Sequence, residues 1–203
     1  SYYSAKITEP KGIDKVYKLP VVTKNIGLQM QSQEKAELVF NIYSPKAEPL
    51  CIIVQMQDKV QFEMGLEANI GNNKIRIPTN TFPLGIAQIT VFDAKERPHA
   101  ERLVFLNKHR KIQLQVKSNQ SSYQIRDSIL LDIQVTDETG RGLQGDFSLA
   151  VVDDKLWTFA DDKQAHILSQ LLLCSDLKGE VYEPNFYFDP KEPKADPALD
   201  YLM

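Results

Sequence analysis

Apolar residues at every second position between residues 122 and 154 constrain this chain more than any other feature. They form two runs: Ile129, Leu131, Ile133 and Val135, then Phe147, Leu149 and Val151. A period of two places one set of side chains on a buried sheet face and the alternate set towards solvent. The intervening residues 137–145 (DETGRGLQG) include three glycines, which suit a reversing loop. The segment therefore predicts two strands and their connection within an all-β module.

The bulk composition excludes several classes of protein. The 203 residues suffice for one large domain or two small ones, and the net charge of −3 comes without clusters of Lys or Arg. We therefore do not expect nucleic-acid binding. No apolar run reaches the roughly 18 residues of a membrane span, so we expect no membrane insertion. The chain starts at Ser1 without a signal peptide, which is typical of an excised or processed chain and says little about its compartment.

Residues 25–108 carry the pattern of a first β-sandwich. Short strand-like runs fall at residues 26–30, 38–43, 50–56, 60–66, 74–77, 86–92 and 103–106, separated by Pro, Gly, Asn and Asp turns. Strands at this spacing are typical of an Ig-like sandwich. Periodicity alone leaves a small barrel open as the alternative. Residues 1–24, with Pro10, Gly12 and Pro20, are interpreted as an N-terminal connector.

A second, incomplete β module is predicted for residues 109–160. The polar and basic stretch 107–111 (NKHRK) marks the boundary, and strands resume at residues 112–116, near Tyr123, at 129–135 and at 147–152. About four strands are too few for a closed sandwich. This module is therefore either incomplete at its C-terminus or completed by something outside the chain.

The period changes in residues 161–203, which we interpret as a helix followed by an extended tail. Ile167, Leu168, Leu171 and Leu172 repeat at helical spacing and predict an amphipathic helix over about residues 163–177. Its apolar side is expected to pack on the open sheet of the second module. The tail contains four prolines and several aromatic residues, and residues 195–203 (ADPALDYLM) predict the start of another helix.

Several segments of the sequence resemble those of a known family. Residues 85–93 (GIAQITVFD) with 100–107 (AERLVFLN) resemble the last hairpin of a macroglobulin-like domain, as found in the alpha-2-macroglobulin family and in Bacteroidetes cell-envelope proteins, and residues 123–154 resemble the next such domain. Residues 171–179 (LLLCSDLKG), 186–189 (FYFD) and 198–202 (ALDYL) are similar to the segments after that domain in proteins with TonB-receptor-plug-like regions. The resemblance covers roughly residues 16–203. It implies tandem macroglobulin-like sandwiches, export to the periplasm or outer membrane, and an internal fragment of a longer protein.

The chain departs from this family at the thioester. Covalent protease trapping requires a Cys-Gly/Leu-Glu-Gln type of sequence, but Cys51 is followed by Ile-Ile-Val and Cys174 by Ser-Asp-Leu. We therefore expect no covalent trapping. Both cysteines are predicted to be free thiols inside a strand and a helix, since Cys often serves as a small apolar residue. A disulfide between them is the less favoured alternative.

Candidate site residues are few. His99, His109 and His166 lack metal-ligand spacing, so we expect no metal and no cofactor. Asp153, Asp154, Asp161 and Asp162 flank one loop and leave Ca²⁺ binding open, although capping and solvation explain them as well. The candidate interaction surface consists of aromatic residues: Trp157, Phe159, Tyr182, Phe186, Tyr187 and Phe188. Packing between helix and sheet is the favoured role of Trp157 and Phe159.

The predicted fold is mainly β: tandem Ig-like or macroglobulin-like antiparallel sandwiches, one amphipathic helix and an extended C-terminal tail. The predicted function is a non-catalytic structural and interaction segment of a larger exported envelope protein. Its partners would be envelope proteins or further domains of the same polypeptide, and open sheet edges also allow a homodimer. The alternatives are a macroglobulin-like protease-interaction module without a thioester, and a carbohydrate-binding module.

Overall fold

Strong alternation of apolar residues between residues 26 and 106 produces a seven-stranded antiparallel sandwich. The computed structural model describes residues 3–8, 11–21, 23–34, 36–153 and 165–203. The strands are β3 (Gly27–Gln33), β4 (Glu37–Ser44), β5 (Glu48–Met56), β6 (Lys59–Ala68), β7 (Gly71–Pro78), β8 (Gly85–Asp93) and β9 (Pro98–Leu106). One sheet has the order β3-β4-β7 and the other β6-β5-β8-β9. The predicted mainly-β fold is confirmed, with an open two-sheet arrangement for these strands.

The two sheets share one apolar core. In β5, Leu50, Ile52, Val54 and Met56 are all buried, at alternate positions. They join Phe40, Ile42, Ile75 and Ile77 of the smaller sheet in a single cluster. Each such side chain contributes about 1.5–3 kcal/mol by leaving water. Because β5 lies between β6 and β8, Cys51 and Ile53 on its other face are also half-buried, as expected for a central strand.

Two further hairpins lie outside the sandwich. The first pairs β1 (Ser4–Lys6) with β2 (Val16–Lys18), and the second pairs β10 (Gln113–Ser118) with β11 (Leu131–Thr136). The expected strand at residues 147–152 is not formed: residues 143–153 are exposed and belong to no strand, apart from a bridge between Thr136 and Gly142 just before them. Alternation alone does not order a segment whose apolar face has nothing to pack against.

The C-terminal residues form short helical pieces rather than one helix and an extended tail. A helical turn at Ile167–Ser169 continues as a π-helical turn at Gln170–Cys174, within the predicted helix of residues 163–177. A 3₁₀ helix follows at Pro184–Phe188. The predicted last helix is confirmed at Ala195–Leu202. No helix in the described ranges has the length and apolar character needed to cross a bilayer.

Candidate functional site

The C-terminal segment, which we define as residues 165–203, packs on strands β8 and β9 of the sandwich. Ile86 lies opposite Phe105 in the β8–β9 ladder, so the two side chains form one apolar patch. Leu173, Phe188 and Leu199 cover this patch, and all five side chains are buried. The rings of Phe105 and Phe188 meet edge to face with their centroids 5.4 Å apart. The expectation that the helix packs on the second module is therefore wrong, because the first sandwich offers it a matching apolar patch.

Two ion pairs tie the last helix to β9 and to the residues just after that strand. Arg102 donates from Nη2 to Oδ1 of Asp200 at 2.7 Å and to the Asp200 carbonyl at 3.1 Å. Lys108 donates to Oδ1 of Asp196 at 2.6 Å, and its ammonium lies 5.8 Å from the centre of the Phe188 ring. The pairs are partly exposed, so each contributes at most about 1 kcal/mol. Their main effect is to fix the position of the helix along β9.

A network of hydrogen bonds joins the start of the C-terminal segment to its 3₁₀ helix. Nδ1 of His166 accepts a hydrogen bond from the Ser169 amide, and the Ser169 hydroxyl donates to Oδ1 of Asn185 at 2.8 Å. The His166 amide donates to the same Asn185 oxygen at 2.9 Å. Ser169 is fully buried. His166 therefore has a capping role, and its side chain accepts where a serine or aspartate would normally do so.

The predicted aromatic surface divides into packing and exposed residues. Phe188 is buried, and Tyr187 packs against the same apolar cluster. Phe186 is half-buried and meets the Tyr187 ring edge to face at 5.5 Å. Tyr182 is 80% exposed and so remains accessible to a partner. Trp157 and Phe159 lie outside the described residues.

A groove of about 640 Å³ separates the C-terminal segment from the end of the sandwich. Charged side chains of both signs line it: Lys108 and Lys111 carry positive charge, and Glu34, Asp189, Glu192, Asp196 and Asp200 carry negative charge. Its volume lies in the range of ligand pockets, and its lining combines these charges with apolar residues such as Phe105, Phe188 and Leu199. It offers donors and acceptors of both signs to a polar ligand or to a segment of a partner chain.

The residues that leave β9 are bonded firmly to the sandwich. Asn107 is buried, adopts a left-handed backbone with φ of 56°, and donates from Nδ2 to the carbonyls of Phe82 and Pro83. Arg110 donates to the carbonyls of Phe82 and Asn80. Residues 107–110 belong to the stretch that was predicted as a polar bridge between modules. Because these side chains bond them to the sandwich, we call residues 107–110 the anchored corner.

A buried carboxylate closes the β8–β9 turn at the opposite end of these strands. Asp93 accepts hydrogen bonds from the Arg97 guanidinium at 2.6 and 2.9 Å, and its Oδ2 lies 3.0 Å from Nε2 of His99. It also accepts from the amides of Lys95 and Arg97. The hydrogen bonds from Arg97, and then that to His99, hold the pKa of Asp93 well below its ordinary value. The cluster is built for turn stability and lies far along the strands from the groove.

Among the described residues, the structure does not bring the predicted histidines, aspartates and cysteines together into one site. The histidines do not meet: His99 contacts Asp93, His109 lines the groove, and His166 caps a helix. Among the acidic candidates, Asp153 alone is described, so Ca²⁺ binding stays a prediction. The described ranges contain no group of three or more metal-ligating side chains. Both cysteines are free, as predicted, but they are half-buried rather than buried. Burial is the main cause that raises the pKa of the Cys51 thiol.

Sequence reasoning did not find the residues that hold the C-terminal segment in place. Arg102, Lys108, Asp196 and Asp200 are ordinary surface charges in the sequence, and their partners lie 88 and 98 positions away. The one available signal was the outward position of Ile86 and Phe105, since apolar residues on an exposed sheet face require a cover. No protein-family model matches the chain, and none of the curated proteins shows significant similarity to it.

Proposed function

We propose that this chain is a non-catalytic structural and interaction segment of a larger, exported, macroglobulin-like envelope protein. The observation that supports this role is the packing of the C-terminal segment on the sandwich, through Phe188 and Leu199 on the Ile86–Phe105 patch. Together with the anchored corner, it fixes both the exit from β9 and the last helix relative to one rigid core. A unit built in this way holds neighbouring parts of a longer polypeptide at set positions.

The interaction role is supported by groups that the packed segment leaves accessible. Tyr182 is exposed and Phe186, four residues later, is half-buried; aromatic side chains at a surface supply contact area with little loss of side-chain entropy. The charged groove offers polar contacts of both signs. Partners of this surface would be envelope proteins or other domains of the same polypeptide, including a TonB-receptor-plug-like component.

The test is capture from a bacterial envelope extract with the whole chain as bait, compared with a Tyr182→Ala variant. We expect the wild-type chain to retain an envelope protein that the variant releases, while both melt at the same temperature because Tyr182 is exposed. Equal capture by both chains would contradict the aromatic interaction surface. Turnover of a peptide or glycan by the purified chain would contradict the non-catalytic role.

A second candidate is a macroglobulin-like protease-interaction module. It is favoured by residues 143–153, which are exposed and outside any strand, as protease-sensitive segments are. Recovery of a protease together with a single cut in residues 143–153 and a change in the shape of the chain would establish this candidate over the first. Cuts scattered over several loops without a change in shape would exclude it.

A further inference from the structure

The β10–β11 hairpin has one polar face and one face that is apolar except for Ser118 at its end. In its register Leu114 lies opposite Val135 and Val116 opposite Ile133. These four side chains and Leu131 define the apolar hairpin face. The alternate positions carry Gln113, Gln115, Lys117, Asp132, Gln134 and Thr136, with Lys117 opposite Asp132. The polar face suits water, but Leu114 and Val116 on the other face are 57% and 47% exposed.

A tight loop after β11 turns the chain back along that strand. Oδ1 of Asp137 accepts hydrogen bonds from the amides of Thr139 and Arg141 at 2.9 and 3.0 Å and from the Thr139 hydroxyl at 2.6 Å. Gly140 supplies the left-handed residue, with φ of 85°. The loop closes in an antiparallel bridge between Thr136 and Gly142, and the Leu143 amide donates to the Val135 carbonyl at 2.9 Å. The first step of a third strand is therefore already present.

This bridge fixes the register of every residue after it. Continued antiparallel pairing from Thr136 and Gly142 places Phe147 opposite Leu131, the first residue of β11. An extension beyond the end of β11 would place Leu149 opposite Ile129. Because side chains alternate in a strand, Phe147, Leu149 and Val151 then lie on the apolar hairpin face. A shift by one residue would place all three on the polar face. The observed bridge thus selects the register in which the apolar residues coincide.

Two features explain why the third strand is not formed in the isolated chain. The same register places Asp146 opposite Asp132, and like charges directly opposite each other destabilise a strand pair. In addition, pairing alone would leave the widened apolar face in water. A cover that provides apolar contacts would therefore favour strand formation.

We propose that residues 143–151 form this third strand when the apolar hairpin face packs against the same face of a second copy of the chain. Two three-stranded sheets packed face to face give a sandwich, with the side chains of their inner faces interdigitated. The proposal deepens the interaction role above and rests on it, because it names one surface and its partner. It does not depend on the aromatic surface at Tyr182.

The composition and size of the surface favour a second copy as the occupant. A two-fold interface uses the same patch twice, so a patch without charges meets no like-charge repulsion across the axis. Exposed members of the widened face are Leu114, Val116, Ile129, Leu131, Phe147, Leu149 and Val151. Their exposed surface, backbone included, is on the order of 700 Å², the same order as the roughly 800 Å² per partner of a standard interface. Lys117 and Asp132 stay on the outer, solvated side.

The test measures dimerisation by sedimentation velocity for the whole chain between about 1 and 500 µM, a range that brackets micromolar affinity. The disrupting variant is Leu114→Asp with Val116→Asp. The matched control is Gln113→Asp with Gln115→Asp, which introduces the same charges on the same strand but on the polar face. We expect the wild type and the control to dimerise, and the disrupting variant to lose at least about 100-fold in affinity.

Hydrogen exchange on the same samples tests the strand itself. Amides of residues 143–151 should gain protection as the wild type dimerises, and stay unprotected in the disrupting variant. A wild type that is monomeric at every concentration, a dimer that survives the disrupting variant, or a dimer without new protection in residues 143–151 would each overturn the proposal. None of these outcomes affects the capture experiment with Tyr182→Ala, so failure of this proposal is distinguishable from failure of the proposed function.

Discussion

Phe105 of β9 and Phe188 of the 3₁₀ helix meet edge to face across the contact between the sandwich and the C-terminal segment, at a centroid separation of 5.4 Å. Both side chains are buried. Edge-to-face pairs contribute beyond the area that they remove from water. This pair is therefore the best single point at which to test whether the C-terminal segment stabilises the fold.

We expect Phe188→Ala to lower the free energy of unfolding by about 3 kcal/mol, since it removes a buried ring and leaves a cavity. Tyr201→Ala is the control, because Tyr201 is 87% exposed in the last helix and its loss should cost less than about 0.5 kcal/mol. Urea denaturation of both variants makes the comparison. Equal effects would mean that the C-terminal segment does not unfold together with the sandwich.

The ion pair between Arg102 and Asp200 is expected to contribute about 0.5–1 kcal/mol, because both side chains are partly exposed and the contact is screened by salt. A double-mutant cycle with Arg102→Met and Asp200→Asn measures the coupling at low salt. The coupling should shrink at about 1 M salt, where the screening length is only a few ångströms. A coupling that is zero at low salt would show that the backbone carbonyl of Asp200, rather than its carboxylate, is the partner that matters.

Acid should destabilise the protein through Asp93. Its pKa is depressed in the folded state, so below about pH 4 the unfolded chain binds the proton that the folded chain does not. The stabilisation from Asp93 is therefore fully present above its unfolded pKa and is lost as the pH falls towards the folded value. Unfolding free energies between about pH 7 and 2 should fall less steeply for Asp93→Asn than for the wild type. Parallel curves would assign the acid sensitivity to other carboxylates.

Asn107 is expected to be sensitive to two separate changes. Asn107→Gly removes the hydrogen bonds to Phe82 and Pro83 but accommodates the positive φ, and should cost about 1–2 kcal/mol. Asn107→Ala adds left-handed strain and should cost about 1 kcal/mol more. Thermal and urea unfolding measure the stability of both variants, and Asn107→Ala should be the less stable of the two. Equal stability would contradict the strain contribution.

Asp146→Lys should favour the third strand even without a partner. The substitution replaces the expected repulsion opposite Asp132 with an opposite-charge pair, worth a few tenths to about 1 kcal/mol. Hydrogen exchange of residues 143–151 should slow in this variant at low protein concentration. Ser148→Lys adds the same charge at a position without an opposing carboxylate and is the control. Equal protection in both variants would contradict the register set by the Thr136–Gly142 bridge.

The sandwich was predictable because the features that specify its strands lie within short stretches of the sequence. Alternation in β4 to β8 and the turn residues between them specify strands, and their inward residues, such as Ile52 and Ile89, specify the core. The position of the C-terminal segment was not predictable, because it depends on Arg102, Phe105 and Lys108 meeting residues that are distant in the chain. The prediction of a strand at residues 147–152 was wrong for a different reason. Its local alternation is strong, but nothing in the described chain covers its apolar side.

The bonds from Arg102 to Asp200 and from Lys108 to Asp196 also close the intervening chain into a loop. Tension applied between the sandwich and the last helix would pass through these contacts and the Phe105–Phe188 pair. The β10–β11 hairpin and residues 143–153 would then carry no load until the contacts part. Once these contacts part, the chain between them would extend and so lower the tension on the folded core.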